Sequence, residues 1–103
     1  MSKKTKQDIN QLRAIGHKLK PVVTIADKGL TENLIAELDR ALTDHELIKI
    51  KLAVGSREAR TELARQISTQ SGAEIIQSIG SVLLLLRRCE TPDPRLSNLI
   101  KPL

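Results

Sequence analysis

Residues 82–86 read Val-Leu-Leu-Leu-Leu, and this run limits what the chain can become. Five aliphatic residues in a row are far too few to cross a bilayer, which takes about 20. Gly80-Ser81 before the run and Arg87-Arg88 after it mark its ends. Successive side chains of a strand point to opposite faces, so an uninterrupted apolar strand needs cover on both. The segment 74–79 reads as the preceding strand, and Gly80-Ser81 is a two-residue link of the kind that closes a β-hairpin. Residues 74–79 and 82–88 are therefore expected to pair.

The rest of the chain supplies partners for that hairpin. Ile9, Leu12 and Ile15 recur at helical spacing and predict a helix over 2–16. Thr5 and Asp8 resemble a capping box at its start, and Gly16 suits the position just past its end. Pro21 opens a short strand at 22–25, followed by a tight connection at 26–29. Thr31 is placed as the N-cap of a second helix, with Glu32 in its first turn and Leu30 and Ile35 as a hydrophobic staple. Its apolar stripe is Leu34, Ile35, Leu38, Ala41 and Leu42.

At 47–53 the character alternates: Ile48, Ile50 and Leu52 face one way, Lys49 and Lys51 the other. A third helix spans 57–70, with Ala59, Leu63, Ala64 and Ile67 inward and Gly72 as its stop. The expected fold is a two-layer α/β domain, an N-terminal helix and then β-α-β-α-β-β. Its four-stranded mixed sheet should be mainly parallel with one antiparallel hairpin and right-handed crossovers. Thr91-Pro92-Asp93-Pro94 then breaks regular structure. Residues 1–88 are expected to form the folded unit, and 89–103 a flexible tail with a little helix near 96–100.

Leu, Ile and Val make 31 of the 103 residues, enough for one core, and Phe, Tyr and Trp are absent. A nucleic-acid binder built this way cannot stack bases on aromatic rings and must rely on Lys, Arg, backbone amides and shape. The net charge is +5 but unevenly placed: +5 over residues 1–20, −4 over 21–46 and +4 over 47–88. Such segregation fits a face for a polyanion. Cys89 is the single cysteine, which fits a reducing compartment. No apolar signal region follows the basic residues 2–6, so a soluble cytoplasmic protein is expected; a monomer is the expected state.

The sharpest local feature is Ile25-Ala26-Asp27-Lys28-Gly29-Leu30-Thr31, which joins a strand to a helix N-terminus. Unpaired amides and the helix dipole favour an anion there. Gly29 allows close backbone approach or a positive φ, and Lys28 adds a charge. The alternative reading is an ordinary strand-to-helix turn.

Three ordered blocks extend this loop: Leu19-Lys20-Pro21-Val22-Val23, Lys28-Gly29-Leu30-Thr31-Glu32 and His45-Glu46-Leu47-Ile48-Lys49-Ile50-Lys51. With Gly80 before an apolar last strand, they resemble the YhbY-like bacterial family, whose unit is the CRM (chloroplast RNA splicing and ribosome maturation) domain. The resemblance covers about residues 5–88. It implies a fold like the C-terminal domain of translation initiation factor three. It also implies RNA binding without catalysis and, for stand-alone bacterial members, a precursor of the large ribosomal subunit as partner. The family's Gly-x-x-Gly loop falls on Ala26, Asp27, Lys28 and Gly29. Should the first position require positive φ, Ala26 costs about 1 kcal/mol; should it require only a small side chain, Ala serves nearly as well.

The RNA-binding residues expected on these grounds are Ala26, Asp27, Lys28 and Gly29, with Lys18, Lys20, Lys49, Lys51, Arg57, Arg60 and Arg87 supplying charge. His17, His45 and Cys89 lie in distant segments without ligand spacing, so no metal or other cofactor is expected. No nucleophile elbow, phosphate-binding loop motif or dinucleotide fingerprint is present, which argues against an enzyme and a small-molecule substrate. The competing expectation is a protein-interaction module that uses the acidic second helix, with Glu32, Glu37, Asp39, Asp44 and Glu46.

Overall fold

In the computed structural model, which describes residues 6–99, the elements are α1 (Lys6–His17), β1 (Pro21–Ile25), α2 (Glu32–His45), β2 (Leu47–Leu52), α3 (Arg57–Ser71), β3 (Glu74–Ile79) and β4 (Val82–Leu86). The sheet order is β1-β2-β4-β3. β1 pairs parallel with β2, while β4 runs antiparallel to both β2 and β3. The expected mixed sheet is present, but the expected predominance of parallel pairing is not. β4 turns back from β3 and inserts beside β2, so two strands that run the same way are held apart by it. One of the two interior places goes to the strand that is apolar on both faces, β2 takes the other, and the edges go to β1 and β3.

Both faces of β4 are covered, so the layering departs from the two-layer expectation. Leu83 and Leu85 join Val23, Ile25, Ile48, Ile50 and Leu52 under Leu38 and Leu42 of α2 and Leu63 and Ile67 of α3. Leu84 and Leu86 join Leu47, Ile76 and Leu12 of α1 on the opposite face. Leu84 is 3% exposed and Leu85 fully buried, as continuous apolarity requires. Of the apolar stripes, Ala59 is exposed and Ile35 only half-buried.

Gly16 is not the helix stop. α1 continues through His17, and Gly16 is buried against β4. A Cβ at this position would lie 2.6 and 2.7 Å from the two δ-carbons of Leu84. Glycine is therefore the residue that lets the α1 backbone press onto the sheet. Thr5, half of the expected capping box, lies outside the described residues, as do residues 100–103 of the expected tail, which include the last residue of the helix expected near 96–100. At α2 the N-cap is as expected: the Thr31 hydroxyl accepts from the Leu34 amide at 3.2 Å.

Residues 89–99 contain neither helix nor strand, yet they are held to the domain and are not the loose tail that their composition suggests. Glu46, 3% exposed, accepts from the Cys89 amide at 2.6 Å and from the Ser97 hydroxyl at 2.7 Å. The Asn98 side chain donates to Leu47 O at 2.7 Å and its amide to His45 O at 2.9 Å. His45 Nδ1 lies 2.8 Å from Leu96 O, which requires the tautomer protonated at Nδ1. Pro92 and Pro94 forbid a ladder here, but not docking through side chains. No described helix is long and apolar enough to cross a membrane.

Candidate nucleic-acid interface

Parallel pairing of β1 and β2 brings their carboxyl ends to one edge of the sheet, and antiparallel β4 begins there. The Ala53 amide donates to Ile25 O at 2.7 Å, and the Leu52 amide to Ser81 O at 2.7 Å. These two bonds tie the loop after β1, the connection after β2 and the Gly80-Ser81 turn into one rim. α2 and α3 both start from this rim, so their amino ends converge on it. Ligands of open α/β sheets favour this side, beyond the carboxyl ends of parallel strands.

The loop 26–29 forms the outer part of the rim. Ala26, Asp27 and Lys28 are exposed and Gly29 half-buried. The Gly29 amide donates to Ala26 O at 2.9 Å, closing a tight turn. Gly29 has φ +76°, whereas Glu46 is the one non-glycine residue with positive φ among the described residues. Ala26 therefore avoids the left-handed region, and the backbone cost considered for it does not arise. A Cβ on Gly29 would meet nothing within 4 Å, so this glycine serves its backbone conformation and leaves the surface open. Thr24, the loop and Thr31, Asn33 and Leu34 line a shallow depression of about 540 Å³.

The expected basic residues divide by place. Arg57 and Arg60 stand in the first turn of α3 on the same rim. Arg57 is exposed; Arg60 is half-buried, its Nη1 directed at Val54 O at 3.5 Å. Lys49 and Lys51 lie on the α1 side of the sheet, with Lys51 opposite Thr24 of β1 and Val82 of β4. Lys51 is exposed, and Lys49, opposite Leu84, is half-buried. Together they carry positive charge from the rim back along the uncovered part of that face, where His17 and Lys49 border one hollow.

Lys18 and Lys20 are exposed but precede β1, at the opposite edge. A five-residue strand, about 17 Å, separates them from the loop. They can extend a long contact and cannot share one phosphate with Lys28.

Arg87 is used inside the protein. Strand β4 ends at Leu86, and the next side chain enters the seam between α2 and α3. Its Nη1 donates to Ser71 O at 2.8 Å and lies 2.9 Å from Asp39 Oδ1. Nη2 donates to Asp39 O at 3.0 Å and to Thr43 Oγ1 at 2.9 Å. This arginine clamps two helices. The acidic helix is correspondingly less free than its composition suggests, since Asp39 faces Arg87 and Glu46 is buried beneath the tail.

One feature went unseen in the sequence. Between α3 and the β3–β4 hairpin lies a groove of about 720 Å³, bordered by Arg57, Arg60 and Arg65 and floored by aliphatic side chains. Arg65 donates through Nε to Glu62 Oε1 at 3.2 Å, and this contact holds the Glu62 carboxyl below its ordinary range. The signal was the other stripe of α3, Arg57, Thr61, Ala64 and Ser68, whose helical spacing places small or basic residues beside the hairpin. Among the described residues, no cluster of His, Cys, Asp or Glu is arranged to hold a metal ion.

Comparison with known proteins is consistent with this arrangement. The profile of the CRS1 / YhbY (CRM) domain matches residues 5–87. A Pseudomonas aeruginosa protein named a probable RNA-binding protein is 46% identical over 95 residues, covering 92% of this chain and 91% of its own length. A Haemophilus influenzae protein named RNA-binding protein is 40% identical over 79 residues, covering 77% and 80%. The solution structure of a Staphylococcus aureus hypothetical protein, described as a candidate RNA-binding protein, superposes with a TM-score of 0.72 at 30% identity. That match covers 84% of this chain and 91% of the other.

Proposed function

The chain belongs to the CRS1 / YhbY (CRM) domain family, and from that membership and the geometry of the rim we propose that it binds RNA without catalysing a reaction. The observation that carries the reading is the meeting, on one edge, of the loop 26–29, the amino ends of α2 and α3, and Lys28, Arg57 and Arg60. Backbone amides at helix starts donate hydrogen bonds to phosphate oxygens, and the cations neutralise their charge. Relatives named as RNA-binding proteins support the ligand class.

The loop holds the phosphodiester backbone, with Gly29 giving a phosphate room to approach. Lys49 and Lys51 continue the contact along the sheet face, and Lys18 and Lys20 lengthen it. Such contacts position RNA and carry little base information, so shape dominates recognition. The finer reading is that the RNA is ribosomal, within a precursor of the large subunit, and that the protein assists assembly in the cytoplasm as a monomer. Its support is the resemblance of the three sequence blocks to stand-alone bacterial members of the family.

Crosslinking in cells, followed by recovery of the bound RNA, tests both levels. Large-subunit ribosomal RNA enriched over total RNA, and cosedimentation with particles lighter than the mature subunit, are the expected results. Enrichment of other RNA would leave RNA binding standing and remove the ribosomal role. Recovery of no RNA would remove both.

A further inference from the structure

The groove between α3 and the β3–β4 hairpin is not needed for the phosphate rim, and its chemistry differs from it. Its floor and far wall include Leu52, Leu83 and Ile75, and Ile75 is 37% exposed although large and apolar. Arg57 and Arg60 stand at its rim end, and no acidic side chain among the described residues lines it. Pockets of about 300–1,000 Å³ with apolar walls and a few polar groups suit compact ligands, and this one, at about 720 Å³, lies within that range. A trough with an aliphatic wall at Ile75, hydroxyls beside it and cations at one lip matches one occupant well: a flat, weakly polar group attached to a phosphate.

We infer that this groove takes the base of an unpaired nucleotide of the bound RNA, with Arg57 and Arg60 holding the adjoining phosphates. The inference rests on the RNA-binding reading above and deepens it. A paired A-form stretch keeps its bases inside the helix and offers protein only phosphates, 2′-hydroxyls and shallow groove edges. It cannot enter the groove and reach Ile75. A bulged or looped nucleotide can, and its phosphate is then carried towards the rim. This chain has no aromatic residue, so aliphatic walls and guanidinium planes are the flat surfaces it can offer a base. The groove supplies both. Thr61 and Ser78, on α3 and β3, add hydroxyls that can meet the edge of the base.

The test compares the full chain on a fully paired RNA duplex and on the same duplex carrying an internal bulge of unpaired uridines. The bulge should tighten binding roughly tenfold, the scale of burying about 55 Å² of base surface against aliphatic side chains. Thr61→Leu narrows the groove without changing charge and should abolish this preference while leaving affinity for the paired duplex unchanged. Ser78→Leu narrows it from the opposite side and serves if the first variant does not fold. Equal affinity of the parent for the two RNAs overturns the inference, as does a bulge preference that persists in a folded narrowed variant. Neither result touches the phosphate rim. Failure of the parent to bind either RNA removes the reading on which the inference rests.

Discussion

Glu46 stands where backbone strain and side-chain bonding oppose one another, and substitutions there separate the two. Its φ of +62° and ψ of −49° put a side-chain-bearing residue where glycine is favoured. That costs about 1–2 kcal/mol. In return, the carboxylate takes hydrogen bonds from the Cys89 amide and the Ser97 hydroxyl. Bonds to a charged group contribute about 1.5–3 kcal/mol each. Glu46→Ala keeps the strain and loses both bonds, a net cost of about 2–4 kcal/mol once water reaches part of the exposed seam. Glu46→Gly loses the same bonds but relieves the strain. It should therefore be more stable than the alanine variant by about 1 kcal/mol, against the usual order of Gly and Ala. Urea unfolding gives the two differences. Amide exchange at residues 89–98 should quicken in both variants, since Glu46 holds that segment at both Cys89 and Ser97. An alanine variant as stable as the parent, or one more stable than the glycine variant, would refute the reasoning.

Three further outcomes follow from the same geometry. Arg87→Ala should lose about 2–3 kcal/mol of stability, because it opens the α2–α3 seam, while the folded variant's RNA affinity stays within about twofold of the parent's; thermal melting and anisotropy titration separate the two. Lys49→Ala with Lys51→Ala should weaken binding and lower the salt slope of log Kd by roughly two, with little change in melting temperature. Gly16→Ala should destabilise by about 1 kcal/mol, since the crowding of Leu84 in a packed core outweighs the gain in helix propensity; melting lower by about 4–8 °C is the expected result.

The elements were legible because their signals are local. Alternation in 47–52, the Thr31 cap and the Gly80-Ser81 turn each depend on residues a few positions apart. The strand order was not, because a hairpin and two crossovers are compatible with more than one arrangement. The deciding fact is that Val82–Leu86 is apolar on both faces, and its consequence is an interior strand with helices above and below. Gly16 was misread for a related reason. A glycine near a helix end looks the same whether it terminates the helix or lets it touch a sheet, and only Leu84, far along the chain, distinguishes them.

At the site, the loop was visible as a strand-to-helix motif, and Lys28, Arg57 and Arg60 do meet on its edge. Arg87 looks like free charge in the sequence because nothing near it there shows Asp39, Thr43 and Ser71 converging on it. The docking of 89–99 escaped notice since proline-rich composition reports the absence of regular structure and not the absence of partners.

The central claim is that the rim formed by loop 26–29 and the amino ends of α2 and α3 holds RNA phosphates, and Gly29→Glu addresses it most directly. The position is open, with nothing within 4 Å of an added Cβ, so the cost to folding is the left-handed backbone alone, about 1 kcal/mol. Gly29→Ala carries that same cost without the charge and serves as the control. The measurement is Kd for one RNA across a salt series, with circular dichroism and melting confirming the fold of each protein. The parent should show a slope equivalent to roughly four to six phosphate contacts. The glutamate variant should bind at least tenfold more weakly with a reduced slope, and the alanine variant should stay near the parent. A folded Gly29→Glu protein with the parent's affinity and slope would contradict the account and reduce the loop to a turn.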